Sequence, residues 1–342
     1  MNLATSDLII FTDRGMYVPQ ADVYIDPWRS VERALITHAH SDHARWGMQH
    51  YLAHQQSIPI LKSRLGINNY QSVAYGETTT INGVKFTFYP AGHVLGSSQI
   101  KVEYKGNIWV VSGDYKLVND GICTPFEPVK CHAFITESTF GLPVFNWKSN
   151  EQLKLELNEI WRLTIQQNKS LVIFAYALGK AQRVLQLLDN SLGKVFVHGA
   201  VYNMNEACQE SGVQLNEYLA VSNESKNHIW NGSAIIAPPS AAGSTWLKKF
   251  EPYITVNASG WMALRGARRR SAVDYGLVMS DHADWNDLNT AIKQTSAEKI
   301  LVTHGYSAIF AKYLREQGYD AIDVNTEFKG ELTYGTKEEE VS

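Results

Sequence analysis

The chain has 342 residues, 44% of them hydrophobic, and a formal charge of -3. That length and apolar content suit one large core or two moderate ones, two domains being the better fit, and the near-neutral charge argues against a general polyanion binder, so any nucleic-acid contact must be local. Cys123, Cys131 and Cys208 show no CxxC spacing, which argues against a disulfide framework and leaves histidine and carboxylate as the side chains for any metal site. Nowhere do about 18 apolar residues run together, and the N-terminal stretch carries Asp7 and Asp13 without a basic region, so the reading is a cytoplasmic protein with no membrane contact.

In chain order, the first half is rich in short β-type runs: Leu8 to Phe11, Val23 to Ile25, Leu35 to Thr37, Val84 to Tyr89, Ile100 to Tyr104, Ile108 to Ser112 and Ala133 to Thr136. Asn82-Gly83 and Lys105-Gly106-Asn107 read as hairpin turns. After Pro143 the texture changes to helix alternating with strand. Helical patterns cover Glu151 to Gln167 and Lys180 to Leu188, and strands cover Leu171 to Tyr176, Lys194 to Val197, Ala234 to Ala237 and Tyr253 to Asn257, the pattern of a parallel α/β segment. Strand-like runs return at Leu277 to Met279 and Ile300 to Thr303, with a helix from Trp285 to Thr295 between them; the polar end, Lys337 to Ser342, reads as a frayed tail. The simplest organisation is a β-rich domain over residues 1–146 and 276–342, interrupted by an inserted α/β domain over 147–275.

The chemistry concentrates in His38-Ala-His40-Ser-Asp42-His43, which follows the apolar run Ala34-Leu35-Ile36 and so lies on a loop leaving a buried strand. In extended backbone, residues two apart point the same way, so His38 and His40 can close on one metal while Asp42 and His43 turn toward a neighbouring position. Two metals held ~3.5 to 4 Å apart can clamp the attacking and leaving oxygens of a displacement, which makes the chain a candidate dinuclear hydrolase; the alternative is a chance cluster of solvated histidines. Four more polar residues follow strand-like runs directly: His93, Asp114, His282 and His304. Each alone is weak evidence, and their joint occurrence after the opening motif gives them weight.

In this order, His38-x-His40-x-Asp42-His43, His93, Asp114 and His304, with Asp26 in Ile25-Asp26-Pro27 upstream, resemble the metallo-β-lactamase fold. The resemblance implies an α/β αββα sandwich holding two divalent ions, zinc with manganese as the alternative. His38, His40, His93 and Asp114 would hold one ion, and Asp42, His43, His304 and a bridging Asp114 the other. Asp26 is implied to brace the ligand loop without binding metal, a plain structural turn being the alternative. Glu137-Ser138-Thr139-Phe140-Gly141 and Ser280-Asp281-His282-Ala283-Asp284, with the α/β insert between them, resemble the β-CASP branch, whose members cut DNA or RNA. Phosphodiester hydrolysis is therefore implied, with Asp114 at the metals and His282, set by Glu137, as the general acid; a structural ion pair for Glu137 and a helix cap for His282 are the alternatives.

Phe11-Thr-Asp-Arg-Gly-Met-Tyr, Ile25-Asp-Pro-Trp and Ser259 to Gly266 resemble the bacterial ligase-associated DNA exonucleases over nearly the whole length. That likeness implies degradation from a DNA end, the 5′ end by analogy, in DNA repair, with functional association to an ATP-dependent DNA ligase and helicase. A histidine at the position of His304 is typical of RNA-processing members, whereas Artemis-type DNA repair nucleases carry valine there, so RNA processing is the main alternative and a silent nucleic-acid-binding scaffold the second. Lys180, at a helix start after Gly179, and Arg265 and Arg268, in a run with Arg269 and Arg270, are candidate phosphate contacts. A solvated lysine and a basic surface loop are the bland readings of these. Trp261 could stack on a base; packing is the favoured reading.

Overall fold

A computed structural model describes residues 7–66, 69–225 and 227–328. The chain divides into two compact units: one takes in the described residues up to Asn146 and from Asp281 onward together with Glu210–Gly212, the other Trp147–Gln209 and Val213–Ser280.

In the first unit, β1 (Ile10–Thr12), β2 (Gly15–Val18), β3 (Val23–Ile25), β4 (Arg33–Ile36), β5 (His50–His54) and β6 (Tyr70–Val73) form one sheet in sequential order, with α1 (Ile58–Leu65) between the last two strands. A second sheet takes β7 (Thr78–Ile81), β8 (Val84–Pro90), β9 (Ser98–Tyr104), β10 (Asn107–Val111) and β11 (Ala133–Thr136). The second unit supplies α2 (Asn150–Gln166), β12 (Ser170–Phe174), α3 (Lys180–Leu187), β13 (Val195–Val197), α4 (Gly199–Glu210), β14 (Leu219–Ala220), β15 (Ala234–Ala237), β16 (Tyr253–Ala258), α5 (Arg265–Ser271) and β17 (Tyr275–Leu277). The chain then returns through α6 (Trp285–Thr295), β18 (Lys299–Val302), α7 (Ser307–Glu316) and β19 (Asp320–Asp323), and the last two strands extend the second sheet beyond β11 in the order β19-β18-β11-β10-β9-β8-β7.

Strand alternation explains the layers. Trp109, Val111, Ala133, Ile135 and Leu301 face inward and pack with Met16, Val23, Ile25, Leu35 and Leu52 of the first sheet in one core. Their neighbours Val110, Phe134, Ile300 and Val302 face the other way, against Leu288 and Ile292 of α6 and Phe310 and Leu314 of α7. On the first sheet, the Tyr70 hydroxyl donates to the Leu61 and Gly66 carbonyls and ties β6 to the end of α1. The result is the sandwich of two facing sheets with helices outside that the resemblance implies.

The second unit is a wholly parallel sheet ordered β14-β13-β15-β12-β16-β17. Leu171 and Ile173 pack on one face with α2 and α3, while Val172 and Phe174 pack on the other with Trp230, Leu247 and Phe250. A sheet buried on both faces reads as an unbroken apolar run, which is why Leu171 to Phe174 is legible. Ser149 starts α2 with a capping box, its hydroxyl accepting from Gln152 N while Gln152 accepts from Ser149 N.

Several elements escape the hydrophobic-run reading. Edge strands β6 (Tyr-Gln-Ser-Val) and β7 (Thr-Thr-Thr-Ile) are largely polar and half exposed, and β5 both begins and ends in histidine. The first strand falls at Ile10–Thr12 instead of Leu8 to Phe11, because Leu8 and Ile9 are buried without joining the ladder. Likewise the run ending at Met279 pairs only over Tyr275–Leu277. The polar tail lies outside the described residues. No helix among the described residues is long and apolar enough to cross a membrane.

Candidate metal centre

Every histidine and carboxylate of the opening motif set sits where a strand of the first unit ends. β4 leads into Thr37 to His43, β8 into Ala91-Gly92-His93, β10 into Ser112 to Asp114, β11 into Glu137 and β18 into Thr303-His304. Strands β10, β11 and β18 pair in parallel, so their loops emerge on a common side, and the loop after β4 meets them there, His38 Nε2 lying 3.4 Å from Asp114 Oδ2. Three left-handed glycines, Gly92, Gly113 and Gly305, permit the close approach of these loops; a Cβ on Gly113 (φ +57°), for instance, would lie 2.7 Å from the Thr37 side chain. Two of the site residues, Asp26 (φ 45°) and His304 (φ 55°), adopt left-handed backbone themselves, a conformation uncommon outside glycine and often found at functional sites.

Ligand atoms of His38, His40, His93 and Asp114 all lie within 4.8 Å of one another, as do those of Asp42, His43 and His304, and those of Asp114, Glu137 and His282. Asp114 stands at the centre: its Oδ2 is 3.4 Å from His38 Nε2, 3.5 Å from His43 Nε2 and 3.7 Å from His93 Nε2, and its Oδ1 is 3.9 Å from His304 Nε2. All of these groups are buried except His40 and Asp42, which are half-buried.

Hydrogen bonds behind the rings fix which nitrogen points inward. Asp26 accepts from Thr37 N at 2.8 Å and from the Thr37 hydroxyl at 2.5 Å, and it also faces His43 Nδ1 at 2.8 Å. A carboxylate there requires the His43 proton on Nδ1, leaving the Nε2 lone pair to face the site. The Thr37 hydroxyl, its proton committed to Asp26, accepts from His38 Nδ1 at 3.1 Å. Thr303 repeats the device: it donates to the Thr136 carbonyl at 3.1 Å and accepts from His304 Nδ1 at 2.8 Å. His93 Nδ1 donates to the Asp281 carbonyl at 2.9 Å. Four rings are thereby set with Nε2 inward, the outer-sphere arrangement that metal-binding histidines require.

That donor set fits divalent cations. Nε2 of His43 and of His304 stand 3.2 Å apart, and with both Nδ1 protons held elsewhere the pair needs a positive charge between them, a shared proton or a metal ion. His38 Nε2 and Asp114 Oδ1 are buried with no hydrogen-bond partner. Orphaned acceptors converging in a buried site are costly unless a cation sits among them. Burial, then the neighbouring His43, holds His38 well below its ordinary pKa, and burial followed by His282 and His40 does the same to His93, whereas at His43 burial is outweighed by Asp114 and Asp42, which raise it well above its ordinary value and mark the place where positive charge is favoured. For Asp114, burial is outweighed by His43, His282 and His304, so its carboxyl stays well below the usual range and ionised. Imidazole and carboxylate ligands suit zinc and manganese alike.

Glu137 and His282 adjoin this cluster. Glu137 Oε1 accepts from Tyr115 N at 2.9 Å, Oε2 lies 2.8 Å from His282 Nδ1, and the same His282 nitrogen is 3.9 Å from Asp114 Oδ2. The cap of α6 is Asp284, which accepts from Asp287 N at 2.9 Å, so His282 is not the helix cap. Thr37, Thr303 and the Asp281 carbonyl were not singled out in the sequence. A signal existed for the two threonines, since both precede a histidine directly, in Thr37-His38 and Thr303-His304.

The phosphate candidates lie in the second unit. Lys180 is buried, 3% exposed, with Nζ 4.9 Å from the centre of the Tyr176 ring, which differs from a solvated lysine. Arg265 and Arg268 are exposed on α5, and Arg268 Nε donates to the Met262 carbonyl. Trp261 is buried, as packing requires.

No family model matches the chain. Over 93% of its length it is 27% identical to a protein of Opitutus terrae named probable DNA ligase, of which it spans only 31%. Over 73% of its length it is 23% identical to an RNase J-like protein of Methanocaldococcus jannaschii, of which it spans 66%. Among solved structures, a protein of unknown function from Enterococcus faecalis superposes with a TM-score of 0.60 at 13% identity, over 86% of this chain and 79% of that one, a likeness of fold.

Proposed function

We propose that this chain, which belongs to the β-CASP branch of the metallo-β-lactamase fold, is a two-metal nuclease that degrades DNA from an end, the 5′ end by analogy with the ligase-associated group. The observation that carries the choice of DNA is the likeness running over 93% of the chain to a protein named for DNA ligation. On this reading the enzyme serves DNA repair beside an ATP-dependent ligase and helicase.

His38, His40, His93 and Asp114 would hold one ion, and Asp42, His43, His304 and Asp114 the other. When bound, such a pair acidifies an attacking water and offsets negative charge on phosphoryl oxygens. The chain's own residues then do three things. Asp26, Thr37, Thr303 and the Asp281 carbonyl hold the imidazoles with their lone pairs inward. Asp114, ionised and central, ties the two ligand groups together. His282, its Nδ1 proton engaged by Glu137, presents Nε2 to deliver a proton to the departing sugar oxygen.

A second reading, an RNA-processing nuclease, is favoured by the RNase J-like relative and by a histidine at position 304. End-labelled single-stranded and duplex DNA bearing 5′ phosphate or 5′ hydroxyl, digested beside RNA strands of matched sequence, tests both. The proposal expects mononucleotide release from DNA beginning at the 5′ end. Preferential cleavage of the RNA strands overturns the DNA assignment, and release from the 3′ end overturns the polarity.

A further inference from the structure

The aromatic ring of Phe328, a residue no sequence pattern singled out, lies flat against two of the candidate ligands. Its centroid is 4.4 Å from the His43 ring and 4.4 Å from the His304 ring, with interplanar angles of 8° and 5°. The two imidazoles are themselves parallel within 5°, at 5.1 Å. Trp28 meets the Phe328 ring edge-on at 5.5 Å. A cavity of about 10 Å³, room for no more than one water, lies among Phe328, Met16, Asp26, His43 and His304.

The segment carrying this ring is fastened to the ligand loop. Val324 N donates to the Val302 carbonyl at 2.9 Å, two residues before His304. Glu327 takes both terminal nitrogens of Arg29, Nη2 at 2.6 Å, and its carbonyl accepts from Arg45 Nη2 at 2.9 Å. Arg45 in turn donates to the Trp28 carbonyl at 3.2 Å and to the Asp42 carbonyl at 3.4 Å. One arginine thus binds the loop that bears Asp42 and His43 to the strap that bears Phe328.

We propose that Phe328 is a positioning residue for the ion held by Asp42, His43 and His304, an inference that rests on the two-metal reading. His43 and His304 come from different sheets and are 261 positions apart in the chain. Hydrogen bonds at Nδ1 anchor one edge of each ring and leave rotation about that edge. A flat aromatic surface across both rings removes that freedom, sets their Nε2 atoms to converge and keeps water off the covered face. Outer-sphere hydrogen-bond partners typically contribute about 10- to 100-fold in metal affinity, and the proposal assigns this ring an effect of the same order.

The test is titration of metal-stripped full-length protein with Mn²⁺, followed by calorimetry and by the electron paramagnetic resonance of the coupled pair, for wild type, Phe328→Ala, Phe328→Leu and Phe328→Tyr. Wild type is expected to take two ions. Phe328→Ala should hold one with near wild-type affinity, bind the other about 10- to 100-fold more weakly and lose the coupled-pair signal at limiting metal. Phe328→Tyr, which keeps the flat ring, should restore both ions, and Phe328→Leu, which keeps bulk without flatness, should not. Equal weakening of both ions, or rescue by leucine as complete as by tyrosine, overturns the proposal in favour of simple packing. A single ion in wild type overturns the two-metal reading and this inference with it, whereas two ions in wild type and two undiminished in Phe328→Ala overturn this inference alone.

Discussion

Nδ1 of His282 lies 2.8 Å from Oε2 of Glu137, across 145 positions of sequence, with both side chains buried beside Asp114. Because the other Glu137 oxygen is held by Tyr115 N at 2.9 Å, the carboxylate cannot swing away, and the His282 proton that faces it is fixed. On the proposed reading, the opposite nitrogen exchanges a proton with substrate. His282→Ala is expected to retain two ions per chain by elemental analysis and to lose turnover by about 10² to 10⁴. Wild-type turnover in that variant removes the acid role, and loss of an ion assigns His282, Glu137 and Asp114 to a metal group instead.

Asp114 approaches four histidines of both ligand groups within 3.4 to 3.9 Å. Its removal should abolish metal binding and activity together: Asp114→Ala is expected to carry fewer than two ions per chain after dialysis and to show no activity. Chelation of wild type should give the same loss, reversed by adding the divalent ion back. Two tightly held ions in Asp114→Ala would contradict the bridging assignment.

Gly305 follows His304 at φ +60°, and a Cβ there would fall 2.4 Å from Thr139 Cα and 2.5 Å from the Ser138 carbonyl oxygen. Backbone atoms cannot give way as a flexible side chain can. Gly305→Ala should therefore cost about 2 kcal/mol or more of stability, read as a lowered urea midpoint. An unchanged midpoint would show that the His304 loop is free to shift.

Burial holds His54, stacked on Tyr75 at 3.5 Å, at about 4 instead of its ordinary 6.5. As pH falls, the unfolded chain takes up this proton first, so stability on this account is full above 6.5 and declines between 6.5 and 4. His54→Phe keeps the stacked ring without the proton. Its stability relative to wild type should improve by about 1 to 2 kcal/mol on going from pH 7 to pH 4.5, measured by thermal or urea unfolding at each pH. A pH-independent difference between the two proteins would rule this out.

Arg265 is exposed on α5, whereas Arg268 is tied to the Met262 carbonyl, so Arg265 is the cleaner probe of phosphate contact. Arg265→Ala should weaken DNA binding and reduce the slope of log affinity against log salt by about one. An identical slope would make it an ordinary surface arginine.

The sequence by itself determined which residues come together. His38 to His43, His93, Asp114, Glu137, His282 and His304 were legible because each follows a strand-like run, and strands buried on one or both faces announce themselves by alternation or by unbroken apolar stretches. Polar edge strands such as Thr78–Ile81 were not legible, since solvent on one side removes the apolar pattern. Tertiary structure alone decided how those residues face one another. The His43 ring is set by Asp26, the Thr303 hydroxyl that holds His304 is itself turned by the Thr136 carbonyl, and Phe328 lies flat against both rings, contacts that bring together segments apart in the chain. Linear spacing carries the period of a strand, but the plane and tautomer of an imidazole are set by whatever the fold places behind it.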